Sequence, residues 1–215
     1  MLDSIGALML ERFRQFFTGL FSPVANGLLR LGVRPDAVTL VGTVGVCVGA
    51  LGFFPRGELF WGVVVVTLFV FSDMIDGYMA RASGAPTRWG AWLDSTLDRI
   101  GDGAVFGGLV LWFAGGGDDR VLTSVALWCL VMGSVTSYAR ARAESLGMQA
   151  KGGIAERADR LVAVLVMTGL SDLFNQPWML SVTLWALAVA STVTVVQRAL
   201  IVRRQALAIE PPDPR

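Results

Sequence analysis

The sequence turns on two runs, Ser72-Asp73-Met74-Ile75-Asp76-Gly77-Tyr78-Met79-Ala80-Arg81 and, eight residues further on, Gly90-Ala91-Trp92-Leu93-Asp94-Ser95-Thr96-Leu97-Asp98. Asp73 and Asp76 stand three apart and share one helix face. Gly90, Asp94 and Asp98 are spaced by four and share a face of their own. The connecting residues hold Gly84 and Pro86, which suits a tight antiparallel helix hairpin. Two carboxylate faces can then look at each other at similar depth. On either side the acids run into uncharged stretches, 59–72 before them and 103–117 after.

Those stretches are part of a wider pattern. Apolar residues make up 54% of the chain and charged residues 16%, against about a quarter charged in a soluble domain of ordinary composition. Uncharged runs recur at 37–54, 121–139, 161–171 and 177–197, and several approach the roughly 20 residues that span a bilayer as helix. The pattern predicts an all-α polytopic membrane protein. Its six transmembrane helices fall at about 36–54, 58–81, 89–114, 120–145, 154–170 and 177–204. Ahead of them Leu2, Ile5, Met9, Phe13, Phe16 and Leu20 form an apolar stripe interrupted by Glu11, Arg12 and Arg14, which predicts an amphipathic surface helix. Ser22-Pro23 and Gly32-Val33-Arg34-Pro35 read as breaks. The expected organisation is a juxtamembrane segment 1–35, a six-helix domain 36–205 and a polar tail 206–215.

Basic residues set the orientation. Six spans put the loops around 56, 118 and 172 on one side, where Arg56 and Arg120 are the only two of 18 basic residues. The other side, with both termini and the aspartate hairpin, is expected to face the cytoplasm of a cell whose plasma membrane holds the chain. No secretory leader is expected, since a basic start followed by a short apolar run and a cleavage site is lacking. Cys47 and Cys129 sit in apolar runs and read as small hydrophobes. Histidine is absent from the sequence, so a general base must be a carboxylate or something less usual.

Ionisable residues at membrane depth are expensive and are functional candidates by default. Asp73 lies 14 residues from the outer start of its helix, roughly 21 Å at 1.5 Å per residue, so the hairpin needs a cavity open to water. Four clustered carboxylates repel unless cations neutralise them, and all-oxygen ligands favour Mg²⁺ or Mn²⁺. Four can hold two ions, an arrangement that clamps attacking and leaving oxygens in phosphoryl chemistry. Gly77 and Gly90 remove side chains beside the acids and let a nucleotide approach the backbone. Asp102, one turn beyond Asp98, reads instead as a buried partner for an arginine.

The pattern D-x-x-D-G-x-x-A-R, eight residues, then G-x-x-x-D-x-x-x-D resembles the signature of the CDP-alcohol phosphotransferases, matched without a gap from Asp73 to Asp98. The resemblance covers nearly the whole chain, because that family also has six spans behind an N-terminal surface helix. It implies a CDP-alcohol phosphotransferase that uses two Mg²⁺ ions, or Mn²⁺, and takes CDP-diacylglycerol as donor. Asp73, Asp76 and Asp94 would be metal ligands, and Asp98 both a ligand and the base for the acceptor hydroxyl. Nucleotide contacts are implied at Gly77, Arg81 and Thr87, and at Asp36 and Thr39 in Pro35-Asp36-Ala37-Val38-Thr39. Taken alone, that last segment is a helix cap. A homodimer is implied, and no nucleic-acid partner.

A second polar group runs through Ser137-Tyr138-Ala139-Arg140-Ala141-Arg142-Ala143-Glu144, Lys151, Glu156-Arg157-Ala158-Asp159-Arg160 and Arg198. Arginine forks suit phosphate oxygens, and a neutral acceptor would not need such a cluster. These runs resemble the bacterial members of the family whose acceptor is inositol phosphate. Arg140, Arg157, Arg160 and Arg198 are the expected phosphate pocket, with Arg142 and Lys151 as secondary candidates. Glycerol 3-phosphate is the alternative acceptor within the family. Outside it, a cation transporter could also hold acids in a membrane.

Overall fold

The computed structural model describes residues 22–82 and 87–209, with the side chains of Asp73 and Ile209 outside that description. The surface helix expected over residues 2–20 therefore lies outside the described residues, as do Gly84 and Pro86 of the hairpin turn. Every regular element among the described residues is helical. Helix α1 covers 22–30, α2 Pro35–Phe53, α3 Leu59–Val70, α4 Ser72–Ala82 and α5 Arg88–Ala114. Helices α6 (Arg120–Ser145), α7 (Arg157–Leu173) and α8 (Pro177–Ile209) complete the set.

The expected break at Ser22-Pro23 is already helical, because the proline ring fixes a φ that a helix accepts. The break at Gly32 is real. Gly32 takes a left-handed φ of 75°, its N–H donates to Leu29 O, and Val33 N–H reaches back to Leu28 O. That pair of bonds satisfies the carbonyls at the end of α1. Asn175 closes α7 in the same manner with φ 51°. The start of α6 is capped by Asp119, whose carboxylate accepts from Leu122 N–H at 2.9 Å.

The chain divides into two compact units. The first takes residues up to Cys47 together with Val65–Gly101, and so holds α1, most of α2, α4 and the first half of α5. Its packing depends on glycines of α2. The Phe69 ring lies against Gly45 and the Ser72 side chain against Gly42, so closely that neither glycine could carry a Cβ. Here the structure departs from the single helix expected over 58–81. Ser72 Oγ donates to Phe69 O at 2.6 Å, and the helix is interrupted at Phe71. A hydroxyl bonded back to the preceding turn bends helices, and Ser72 is held in that position by contact with Gly42.

The second unit takes Val48–Val64 and Asp102–Arg215. Phe54, Leu109, Val164 and Leu184 are fully buried in it. Gly108 comes so near Ala50 O that a Cβ there would stand 2.7 Å from it. Within this unit α8 packs against both α6 and α7.

The outer faces are greasy. Leu40, Val41, Val44 and Val48 of α2 and Val182, Trp185, Val189 and Val196 of α8 are all exposed. Apolar surface on that scale needs a partner, and lipid supplies one. Four helical stretches among the described residues are long and apolar enough to cross a membrane: Pro35–Arg56, Leu59–Ala82, Arg120–Ser145 and Pro177–Ala208. The other two expected spans do not qualify by length and composition. Arg88, Asp94, Asp98, Arg99 and Asp102 charge the first half of α5, and α7 has only 17 residues. The chain is a membrane protein.

Candidate active site

In the first unit, α4 carries the acids out of the apolar run of α3. Asp76 is buried, with 6% of its surface exposed, and its Oδ2 meets no hydrogen-bond partner among the described residues. Among the described residues, the side chains that act on it are Thr39 of α2 and Asp94 and Asp98 of α5. Thr39 is itself buried, and its hydroxyl donates to Pro35 O at 3.2 Å. Asp94 is exposed and Asp98 half-buried. Arg99 Nη2 stands 3.7 Å from Asp98 Oδ2.

The glycines of the signature stand beside polar side chains. Arg81 folds back along α4, so its Nη1 would stand 3.5 Å from a Cβ on Gly77. Thr87 caps α5 by accepting from Gly90 N–H at 2.9 Å. A Cβ on Gly90 would stand 3.1 Å from Thr87 Oγ1 and 3.5 Å from Asp36 Oδ1. One unit thus brings Asp36, Thr39, Asp76, Gly77, Arg81, Thr87, Asp94 and Asp98 into three adjoining groups. The side chain of Asp73 lies outside the described residues.

A buried carboxylate oxygen without a partner, facing two further carboxylates, is costly unless a cation joins it. Oxygen-only donors suit a hard divalent ion. Among the described residues no three acidic, thiol or imidazole side chains already close on one point, with the Asp73 carboxylate outside that set. The donor chemistry fits Mg²⁺ or Mn²⁺.

The expected phosphate-binding residues lie in the second unit, and the structure sorts them. Arg198 on α8 is 3% exposed; its Nε donates to Gly152 O at 3.1 Å and its Nη1 to Thr136 O at 2.6 Å. Arg140, Glu144 and Glu156 are the charged groups that act on it. Arg160 on α7 is 2% exposed and donates to Ala155 O at 3.0 Å and Gly133 O at 3.4 Å. Arg140 is half-exposed and pairs with Glu144 at 3.0 Å. Arg157 donates to Asp102 Oδ1 at 3.1 Å, so Asp102 is the arginine partner the sequence led us to expect. Arg142 reaches Ser145 Oγ at 3.4 Å, and Lys151 is exposed. Arg140 and Arg198 come together; Arg157 is held by its acid.

Residues 33–196 match the family model of the CDP-alcohol phosphatidyltransferases. The chain belongs to that family. It is 54% identical over 209 residues to a phosphatidylinositol phosphate synthase of Streptomyces avermitilis, covering 94% of this chain and 86% of the relative. It is 53% identical over 203 residues to the enzyme of the same name from Mycolicibacterium smegmatis, covering 94% and 91%. Among solved structures it is similar to the phosphatidylinositol phosphate synthase of Mycobacterium tuberculosis with CDP-DAG bound. That match has a TM-score of 0.85 and 49% identity, over 90% of this chain and 98% of that one. The same enzyme in complex with manganese and citrate matches with a TM-score of 0.85 and 49% identity, over 90% and 93%. As a CDP-alcohol phosphatidyltransferase, this chain is a transferase of phospholipid biosynthesis.

Several polar groups of this phosphatidyltransferase escaped the sequence reading. Gly152-Gly153 reads as a plain turn, yet both residues take positive φ, 104° and 140°, and Gly153 lies against Thr194. Thr194 sits in an uncharged apolar run and gives no sign of itself, although its spacing of four from Arg198 places the two on one face of α8. Gln149 and Gln205 exchange bonds across 56 residues, which no local pattern reveals.

Proposed function

We propose that this chain transfers the phosphatidyl group of CDP-diacylglycerol to inositol 1-phosphate, giving phosphatidylinositol phosphate and CMP. The observation that carries the reading is a complete Asp73–Asp98 signature joined, in one chain, to the arginine-rich runs 137–144 and 151–160. Likeness over nearly full length to enzymes named for that reaction supports it.

The acceptor hydroxyl attacks the lipid-bearing phosphorus, the diphosphate P–O bond breaks, and CMP leaves. Asp98, half-buried and able to accept, takes the hydroxyl proton. Asp73, Asp76, Asp94 and Asp98 would hold the divalent ions, two Mg²⁺ or Mn²⁺, which when bound neutralise charge on the diphosphate. Asp36, Thr39, Gly77, Arg81 and Thr87 would line the CDP moiety, the glycine by leaving room and the others by hydrogen bonding. Arg198, Arg160 and Arg140 would hold the acceptor phosphate through charge-assisted bonds, with Arg157, Arg142 and Lys151 around them.

Release of CMP by the purified protein tests the reaction. With CDP-diacylglycerol and Mg²⁺, release should follow inositol 1-phosphate and not free inositol. Release driven by glycerol 3-phosphate and not by inositol 1-phosphate would overturn the choice of acceptor. In the membrane we assign six spans, α5 and α7 completing the four apolar ones, with the site open to the cytoplasm and a homodimer as the assembly. Cysteines placed near Arg56 and Asp118 should then label from outside and one at Gly152 only from inside. Outside labelling at Gly152 would invert the orientation.

A further inference from the structure

The connection between α6 and α7 is held by its main chain. Gly152 and Gly153 take φ of 104° and 140°, a region that other residues enter only with strain. Around them the backbone polar groups go to side chains. Arg198 Nε donates to Gly152 O at 3.1 Å, and Arg160 Nη1 donates to Ala155 O at 3.0 Å. Between those carbonyls the Ile154 and Ala155 N–H groups both donate to Thr194 Oγ1, at 3.1 and 3.2 Å. At the far end Gln149 N–H donates to Gln205 Oε1 at 2.9 Å, and Gln205 Nε2 donates to Gln149 O at 2.6 Å.

Thr194 is the centre of this arrangement. It is fully buried, and its own proton goes to Ala190 O at 2.8 Å. A hydroxyl has one proton to give and two lone pairs to accept with, so its capacity is filled. Its methyl lies against Gly153 so closely that no Cβ fits there. A valine of the same shape would leave the buried Ala155 N–H and the part-buried Ile154 N–H without their acceptor, and a strap in that state has to lift or rearrange. The two carbonyls that receive Arg198 and Arg160 belong to this same strap. Their positions, and with them the aim of both guanidiniums, depend on Thr194.

We propose that Thr194 is a positioning residue for the acceptor phosphate: it sets the Gly152–Ala155 strap that orients Arg198 and Arg160. The proposal rests on the reading that those arginines bind the acceptor. A purely structural threonine would lower the amount of folded enzyme, and with it the apparent kcat, while leaving the acceptor and donor KM values alike unchanged. A positioning threonine separates them.

The test uses the full chain in lipid nanodiscs, with inositol 1-phosphate and CDP-diacylglycerol varied in turn. Thr194→Val should raise the acceptor KM about tenfold or more, the effect of one lost charge-assisted contact, with kcat within about twofold and the KM for CDP-diacylglycerol unchanged. Thr194→Ser keeps the hydroxyl and should return the acceptor KM to within about threefold of the original. An unchanged acceptor KM in Thr194→Val overturns the proposal, as does a serine variant impaired as much as the valine. Should Thr194→Val fail to fold, Thr194→Ala carries the test. A rise in acceptor KM of about threefold or more, with donor KM unchanged, supports the proposal; original values overturn it. If the unmodified enzyme ignores inositol 1-phosphate, the acceptor assignment fails instead. The same variants are then read with the phosphorylated polyol it does use.

Discussion

Asp98→Asn should lower turnover at least ~10²-fold, and Asp73→Asn, Asp76→Asn and Asp94→Asn should do the same, because metal binding and proton removal both depend on these carboxylates. Chelation should abolish activity, and Mg²⁺ or Mn²⁺ should restore it. Asp76 allows a sharper version. Its Oδ2 is buried without a hydrogen-bond partner among the described residues, so in the absence of metal the ionised group burdens the fold. Asp76→Asn removes that charge. The variant should melt at or above the temperature of the unmodified, metal-free protein while turnover collapses, and added Mg²⁺ should no longer raise its melting temperature. Near-normal turnover by Asp94→Asn or Asp98→Asn would sink the assignment of the acids. A melting temperature of Asp76→Asn that still climbs with Mg²⁺ would remove Asp76 from the metal site.

Arg198→Ala and Arg160→Ala should raise the acceptor KM about 10- to 100-fold, the equivalent of roughly 1.5–3 kcal/mol for a lost charged hydrogen bond. Binding of CDP-diacylglycerol should be largely kept. The structure adds a complication with a remedy. Both guanidiniums are buried and hold backbone carbonyls, so alanine also removes one donor each from Gly152 O, Thr136 O, Ala155 O and Gly133 O. Arg198→Lys keeps the charge and loses the planar fork. It should retain more folded protein than the alanine variant and still show a raised acceptor KM. Original acceptor affinity in both Arg198 variants would take this residue out of the phosphate pocket. A better turnover with glycerol 3-phosphate would keep the pocket and change the polyol.

The hairpin of acids was legible because spacing alone places it: carboxylates at i, i+3 and i, i+4 fall on one face whatever surrounds them. The same holds for Asp36, Thr39 and Thr87, which sit at helix starts that capping chemistry marks. Helix limits followed from apolar runs to within a few residues, save at α8, which runs on to Ile209 past the expected start of the tail. The interruption at Phe71 was not legible, since it arises from a contact between Ser72 and Gly42 on another helix. Nor was the start of α7 at Arg157, because the N–H groups of Ile154 and Ala155 go to Thr194 on α8 and not into helix. Arg157 looked like its neighbours Arg140 and Arg160; its bond to Asp102 spans 55 residues. Composition marked the six expected spans, but α5 mixes charges into its first half, and α7 is short.

The length of α8 has a consequence of its own. Its 33 residues measure about 50 Å at 1.5 Å per residue, while the hydrocarbon of a bilayer is about 30 Å thick. Its uncharged stretch, 177–197, is about long enough to fill that thickness, and the first charge beyond it is Arg198. The helix therefore works as a depth gauge. Trp178 and Arg198 mark its two ends, and Thr194 lies one turn inside the second mark. If Arg198 binds the acceptor phosphate as proposed, a charged sugar phosphate arriving from water would meet that fork where the oil stops, without the fork being drawn through the membrane interior. On that reading, one rod would set the acceptor's arginine at the level of the interface.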